Sequence, residues 1–333
     1  MSEVRACVVG ASGFAGALAA RILWRHPRVI LEAVTARTDA GRRHDELYPH
    51  YRVPLVLEPF DPERIRELDV ALVSYPHGSA AEVVAALRDA GLRVVDLSAD
   101  FRLRDLEEYG RWYGDHGAAA LVADAVYGLT ELHRDEVAGA DLVANPGCFS
   151  TAALLALAPL ARAGLIEDAV VDAKSGVSGA GRDNTQTTHF VSVDENLSPY
   201  SVEGHRHAPE IDQELLALGC SERVTFTPHL APLDQGLLAS CYVTPTRTLD
   251  GDELRGLFEE AYGGEQFIEL ADRPPGVRDV RDTNVCRIST AIESRTGRPI
   301  VFAAIDNLWK GAAGQAVQNM NVMLRFDEGE GLW

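Results

Sequence analysis

One thiol in this chain stands where a thiol can react. Cys148 lies in NPGC, just ahead of STAALLALAPLARA (150–163), a run with helical composition, with Pro159 as an expected kink and Gly164 as its stop. A helix N-terminus carries unpaired N–H groups and the positive end of the dipole, which favour thiolate and can hold an oxyanion. Pro146-Gly147 would turn the chain sharply and expose the sulfur. Cys7, Cys220, Cys241 and Cys286 sit in apolar strands or beside loops and read as inert packing. Taken alone, Cys148 also has a purely structural reading. A second constellation is GHRHAPEI, with His205, His207 and Glu210. Alternate residues of an extended segment face the same way, so both imidazoles would look into one cleft. Imidazole is the natural proton donor and acceptor near neutral pH. Two plainer readings stand beside this one. His205, His207 and a distant cysteine would give three zinc ligands, although paired-cysteine spacing is missing. Or these are surface histidines, among ten in the chain.

The third constellation is Gly10-Ala11-Ser12-Gly13-Phe14-Ala15-Gly16. Glycine at such places permits positive φ and close approach of backbone to a pyrophosphate, and the helix behind adds partial positive charge. The bare triplet fits an ordinary tight turn equally well. Its context, between a short β-branched run (VRACVVG, 4–10) and a helical one, is what a dinucleotide site requires. NAD usually calls for an acidic residue at the end of the second strand. That strand here ends VTARTDAGRR, and Thr35 and Arg37 offer a hydroxyl and a guanidinium instead, which suit the 2′-phosphate of NADP(H). Only two of the basic residues are lysines, Lys174 and Lys310, both in Gly-rich stretches; in a chain that uses arginine so freely they read as candidate functional residues, with chance as the plainer reading. No G-x-S-x-G elbow and no G-x-x-x-x-G-K-[ST] occurs, which excludes a serine hydrolase of that type and a P-loop.

These groups need elements to position them. The first half alternates strand and helix: DVALVSYP (69–76), SAAEVVAALRDAG (79–91, with Gly91 as its cap), LRVVDLSAD (92–100) and ADLVANPG (140–147). The strands read as buried on both faces, as in a parallel sheet. After Gly147 come alternating segments, DAVVDAKSG, RVTFTPHLAP, GLLASCYVTPT and IVFAAIDNL, which read as a mixed or antiparallel sheet. The expectation is an α/β chain with a Rossmann-type doubly wound sheet over 1–147. The helical tail AAGQAVQNMNVMLRF (within 311–333) would pack back on it, and an α+β domain with a mixed sheet would span 148–310.

Length and composition set limits. A chain of 333 residues with 46% hydrophobic and 24% charged residues suits two soluble domains. A formal net charge of -19 argues against nucleic acid and against an anionic membrane surface, and demands a locally positive site if the substrate is an anion. Five widely spaced cysteines without a C-x-x-C argue against a disulfide framework. No apolar run spans a bilayer, and the start MSEVRACVVGASG reads straight into a strand, so a cytoplasmic protein without a signal peptide is expected.

The motifs together resemble the N-acetyl-gamma-glutamyl-phosphate reductases, relatives of the aspartate-semialdehyde dehydrogenases. The likeness rests on GASGFAG (10–16), YPHG (75–78), DLSADFRL (96–103), VYGLTEL (126–132), NPGCFSTAALLALAPL (145–160), DAKSGVSGAGR (172–182), GHRHAPEI (204–211), FTPHLAP (226–232) and AIDNLWKGAAGQAVQNMN (304–321). It implies NADPH-dependent reduction of an acyl phosphate through a thioester on Cys148, no metal, and a homodimer or homotetramer whose Rossmann domain is completed by the C-terminal helix. It implies further that His205 is the acid/base, supported by His207 and Glu210. Arg102 would hold the substrate phosphate, with Asn145, Lys174 and Arg182 on the substrate side. Pro76, Ser98, Ser175, Gly176 and Asn307 would join the glycine turn around the cofactor. The chain departs from the pattern at Gln235, where an arginine is expected, and at Phe149-Ser150, where Tyr-Pro is usual and Ser150 would serve as helix cap. Two other readings are weighed: a lysine-pathway reductase of a carrier-bound aminoadipyl or glutamyl phosphate, and a non-catalytic NADP-binding regulator.

Overall fold

The computed structural model describes residues 3–333, so Met1 and Ser2 of the N-terminal stretch read above lie outside the described residues. The chain forms two compact units, Met1–Pro146 with Ala312–Trp333, and Gly147–Gly311.

The first unit is built on seven parallel strands: β1 (Val4–Val9), β2 (Val29–Thr35), β3 (Leu57–Glu58), β4 (Val70–Val73), β5 (Arg93–Asp96), β6 (Val126–Tyr127) and β7 (Leu142–Ala144). Their spatial order is β3-β2-β1-β4-β5-β7-β6. β4 is apolar at every position and wholly buried, as a central parallel strand covered on both faces must be. The order reverses between β1 and β4, and such a switch point is where an open parallel sheet binds its ligand. Helix α1 (Phe14–Trp24) follows β1 and packs on β1 and β2, and α2 (Ala81–Asp89) packs on β5. α2 ends on Gly91 at φ 90°, whose amide donates to Arg88 O while Leu92 donates to Leu87 O. That paired closure of the last turn is what a left-handed glycine makes possible. The C-terminal helix Gly314–Met323 belongs to this unit and packs on α1 and on helix α3 (Thr130–Gly139). Its buried amides hold it there: Asn319 Nδ2 donates to Gly128 O at 2.7 Å, Asn319 Oδ1 accepts from Thr130 at 2.7 Å, and Asn321 Oδ1 lies 3.1 Å from His26.

The second unit is a mixed sheet of β8 (Ile166–Ser175), β9 (Ser198–Pro199), β10 (Thr225–Leu230), β11 (Leu237–Pro245), β12 (Ile268–Leu270), β13 (Cys286–Ile292) and β14 (Pro299–Ile305), in the order β12-β13-β14-β11-β8-β10-β9. β8 pairs parallel with β10 and antiparallel with β11. Helix α4 (Cys148–Arg162) packs on β11 and β14 and is buried from Phe149 to Ala161, which explains why its sequence is apolar all round. It runs through Pro159 without a break and stops where expected: Gly164 adopts φ 65°, donates to Ala161 O, and lets Leu165 donate to Leu160 O. Helix α5 (Ala208–Ala217) packs against α4.

Candidate active site

Cys148 is the first helical residue of α4, and Gly147 (φ -70°, ψ 149°) is the cap. The helix therefore begins two residues before the expected start. Ser150 is not its cap; it lies inside the first turn, fully buried. Gly147 is fixed from two sides. Its N–H donates to Glu210 Oε1 at 2.8 Å, and a Cβ on it would lie 2.5 Å from His207 Nε2. Only glycine leaves room for that imidazole. Glu210 and His207 thus act on the turn that presents the thiol. From the other side Gly311 closes on the cysteine: a Cβ there would come 2.7 Å from Cys148 Cβ. Cys148 is also the only one of the five cysteines that is not buried. Burial pushes the Cys7 and Cys241 thiols up to about 12, so those remain inert.

His205 and His207 do meet, but not as alternate residues of a strand. Arg206 and His207 form a turn, His207 caps α5, and the rings stand edge to face with centroids 4.8 Å apart. The backbone amide of His207 donates to His205 Nδ1 at 3.1 Å. The His205 ring is boxed edge-on by Phe149, Tyr200 and Phe226 at 5.6, 5.5 and 5.3 Å. Burial, and then the Arg206 guanidinium, push this imidazole down to about 4. Tyr200 is a site residue that the sequence did not single out. Desolvation and the neighbouring Cys148 sulfur hold its phenol above the ordinary range. Nothing in SPYSVEG distinguishes it, because its place depends on β9 pairing with β10. Among the described residues, Cys148, His205 and His207 do not bring three ligand atoms close enough for one metal ion.

The glycine turn follows β1 at the switch point. Gly10 takes φ 91°, and a Cβ there would lie 2.4 Å from Ser74 O; one on Gly16 would lie 2.2 Å from Gly10 O. At Gly13 nothing approaches nearer than 3.9 Å. Two glycines thus serve the turn itself, and the third leaves open space before the amides of Phe14 and Ala15 at the start of α1. That is a cradle suited to a pyrophosphate. Thr35 acts through its carbonyl, which accepts from Gly10 and Ala11, while its hydroxyl is buried. Arg37 is exposed, with its guanidinium 5.8 Å from the Tyr75 ring centroid, and is the residue of this pair able to meet a 2′-phosphate.

Several other expected contacts have their side chains committed to internal bonds. Ser98 Oγ donates to Asp96 at 2.6 Å and accepts from the Asp100 amide. Asp100 in turn accepts from the amides of Gly78, Ala80 and Ala81, tying YPHG to DLSADFRL at the start of α2. Pro76 is exposed in that turn. Asn145 joins β7 to the C-terminal helix through Ala312 O and Asn319. Arg102 is buried and anchored, Nε on Asn145 O at 2.7 Å and an Nη on Leu97 O at 2.8 Å. Asn307 accepts from Gly236 N and donates to Ser178 Oγ, locking the loop of Ser175 and Gly176. Lys174 pairs with Asp172 at 2.6 Å beside His229. Strand alternation puts it on the face of β8 opposite to buried Ala173 and Ser175. Arg182 is exposed beyond the Val177–Ala180 turn. Lys310 is wholly buried, its Nζ 5.6 Å from the Phe267 ring centroid. Gln235, in place of the expected arginine, donates to Asp306 at 2.9 Å.

Fold and site define a class, the semialdehyde dehydrogenases. The family model for the semialdehyde dehydrogenase NAD binding domain matches residues 5–140, and that for the dimerisation domain matches 148–307. Aspartate semialdehyde dehydrogenase II of Vibrio cholerae, solved with ASA, superposes with a TM-score of 0.75 at 20% identity, over 98% of this chain and 99% of its own. The Candida albicans aspartate semialdehyde dehydrogenase solved with NADP gives 0.73 at 16%, over 97% and 99%. Much nearer in sequence are the N-acetyl-gamma-glutamyl-phosphate reductases of Moorella thermoacetica, 46% identical over 98% of this chain and 96% of theirs, and of Rubrobacter xylanophilus, 47% identical over 98% and 97%. The chain belongs to the N-acetyl-gamma-glutamyl-phosphate reductase family.

Proposed function

We propose that this protein reduces N-acetyl-gamma-glutamyl phosphate to N-acetylglutamate 5-semialdehyde and phosphate, the reductive step of that branch of arginine biosynthesis, with the acyl group carried on Cys148. The observation that supports this most is the single unburied thiol at the first position of α4, where Gly147 is fixed by His207 and Glu210 and the His205 ring packs on His207 and Phe149, in a chain 46% identical to such a reductase over 98% of its length. The helix N-terminus favours the thiolate. The sulfur attacks the acyl carbon, the bond to the phosphate oxygen breaks, and a thioester remains, so one hard step becomes two easier ones. NADPH, when bound, supplies the hydride. The glycine turn Gly10–Gly16 and Arg37 would hold it, with Pro76, Ser98, Ser175, Gly176 and Asn307 shaping the surrounding loops. Arg102 brings a fixed positive charge for the substrate phosphate against the acidic background, with Arg182 in the same role. His205 serves the oxygen that becomes negative at the reacting carbon. The assembly is proposed to be a homodimer or homotetramer, working in the cytoplasm.

The test is phosphate-dependent NADP reduction with N-acetylglutamate semialdehyde, run for the native protein and for Cys148→Ser. A loss of at least about 10³-fold in the variant is expected for a missing nucleophile. Native-like turnover by Cys148→Ser would overturn the thioester route. A free substrate that fails where a carrier-bound one works would transfer the assignment to the carrier-dependent class.

A further inference from the structure

The backbone that follows β14 packs against the reacting cysteine, and one buried side chain holds it in shape. Resting on the thioester reading above, we infer that Asp306 is a positioning residue for Cys148. Its carboxylate holds a widened turn that brings Gly311, and no residue with a side chain, against the cysteine.

Gly311 is the point of contact. A Cβ built on it would lie 2.7 Å from Cys148 Cβ, 3.3 Å from Cys148 Cα and 3.3 Å from Ile305 Cδ1, so its backbone fills the space between the two residues. In the run Trp309-Lys310-Gly311-Ala312-Ala313 only position 311 lacks a Cβ. A π-turn over Trp309–Ala313 places it there, and the Gly311 amide donates to the Asp306 carbonyl, five residues back, at 3.0 Å. An α-turn closes four residues back; it would shift the register by one residue, about 100° around the axis, and aim a side chain at Cys148. Single π-turns are rare and concentrate at functional sites.

The Asp306 side chain fixes the start of that turn. It is 0% exposed and accepts four hydrogen bonds, two on each oxygen. Oδ1 accepts from the amides of Leu308 at 2.9 Å and Trp309 at 3.2 Å, which caps the turn as it leaves the strand. Oδ2 accepts from the Asp282 amide at 2.8 Å and from Gln235 Nε2 at 2.9 Å. Asp282 takes φ 58°, a conformation that few residues other than glycine adopt, so the surrounding structure must hold it there. Two loops therefore clamp one oxygen of Asp306, and the other oxygen clamps the turn. On its far side the turn is anchored by the wholly buried Lys310, whose ammonium faces the Phe267 ring. Gln235, standing where an arginine is expected, thus serves the same carboxylate without bringing a charge.

The test is steady-state kinetics of full-length Asp306 variants, with kcat referred to the folded fraction seen by circular dichroism. Asp306→Ala removes both halves of the clamp. Its kcat should fall about 10²-fold, the cost of misplacing a reacting atom by about an ångström, while KM for NADPH changes little. Asp306→Asn separates position from stability. Its oxygen can still accept from Leu308 and Trp309, and Gln235 can turn its own oxygen toward the new amide, but the Asp282 amide loses its acceptor. This variant should unfold at lower urea than the native protein yet keep kcat within about 10-fold. Should Asp306→Ala fail to fold, Asp306→Ser replaces it: one hydroxyl can cap only one of the two amides, and a loss of at least about 10-fold is expected. Native kcat in the folded Ala or Ser variant, or equal losses in Asn and in Ala or Ser, would overturn the inference and leave Asp306 a stabilising residue only. The thioester reading is checked separately, by alkylating Cys148 in the native protein with iodoacetamide. Turnover that survives this would remove the thioester route itself, whichever way the Asp306 variants behave.

Discussion

At the scale of single residues, the site is built by what glycine leaves out. Cys148 sits between Gly147, over which the His207 ring packs, and Gly311, whose missing Cβ makes room for the cysteine's own. This gives a sharp prediction for Gly311→Ala. Cys148 cannot retreat, because it is the first residue of a helix buried along thirteen positions. The variant should fold and bind NADPH, but the thiol should be displaced by several tenths of an ångström to an ångström. A shift of that size costs about 10²-fold in kcat. Steady-state kinetics beside far-UV circular dichroism check it; unchanged kcat in a folded protein would mean that Gly311 does not position the sulfur.

At the scale of elements, each end of the chemistry depends on how a helix starts. α4 offers its first turn to Cys148, and α1 offers its first turn to the open space above Gly13. The turn before α1 admits no side chain at Gly10, where φ is 91° and a methyl group would lie 2.4 Å from Ser74 O. Gly10→Ala would force a left-handed alanine and push β1 from β4. A left-handed conformation costs about 1–2 kcal/mol before the clash is counted, so a total loss of more than about 2 kcal/mol is expected in urea unfolding. NADPH binding, followed by fluorescence, should weaken at least about 10-fold, because 1.4 kcal/mol of distortion already amounts to that factor. Native affinity would show that the turn plays no part in holding the cofactor.

At the scale of the whole molecule, two buried groups and the half-buried His205 bear on how stability responds to pH. Burial pushes His44 and His205 down to about 4, while Asp96, wholly buried though bonded to Ser98, is pushed up to about 7. For the histidines the unfolded chain binds the extra proton, so stability falls as pH drops from about 6.5 toward 4. Asp96 works in the opposite sense: its contribution is complete below the ordinary carboxylate range and is lost as pH rises through about 7. His44 can be tested by itself. It is 0% exposed among Tyr48 and Tyr51, and among the described residues neither ring nitrogen has a hydrogen-bond partner. His44→Phe should be the more stable protein near neutrality by about 1–3 kcal/mol, the cost of leaving buried polar atoms unmatched. Its advantage should grow by about 3 kcal/mol between pH 6.5 and pH 4. Urea titrations at both pH values check this, and a constant difference would contradict the assigned shift. The same scale includes the family's dimerisation domain, matched here at 148–307. No helix among the described residues is long and apolar enough to cross a membrane.

Local rules sufficed for much of this. Apolar runs bounded by glycine made the parallel strands legible, and Gly91 and Gly164 marked helix ends because only a left-handed residue closes those last turns as seen. The glycine turn, Cys148 and the GHRHAPEI cluster stood out as candidates because the features that mark them lie within a few residues of one another. Tertiary structure decided the rest. A sequence does not display which side chains are already spent: Ser98, Asn145 and Asn307 read as contacts for a ligand, yet the fold uses them in its own internal hydrogen bonds. Nor does it display partners far along the chain, such as Gly311 against Cys148 or Tyr200 against His205. Close packing of distant segments determines which polar groups remain available and how burial shifts their protonation, and that is a property of the folded chain alone.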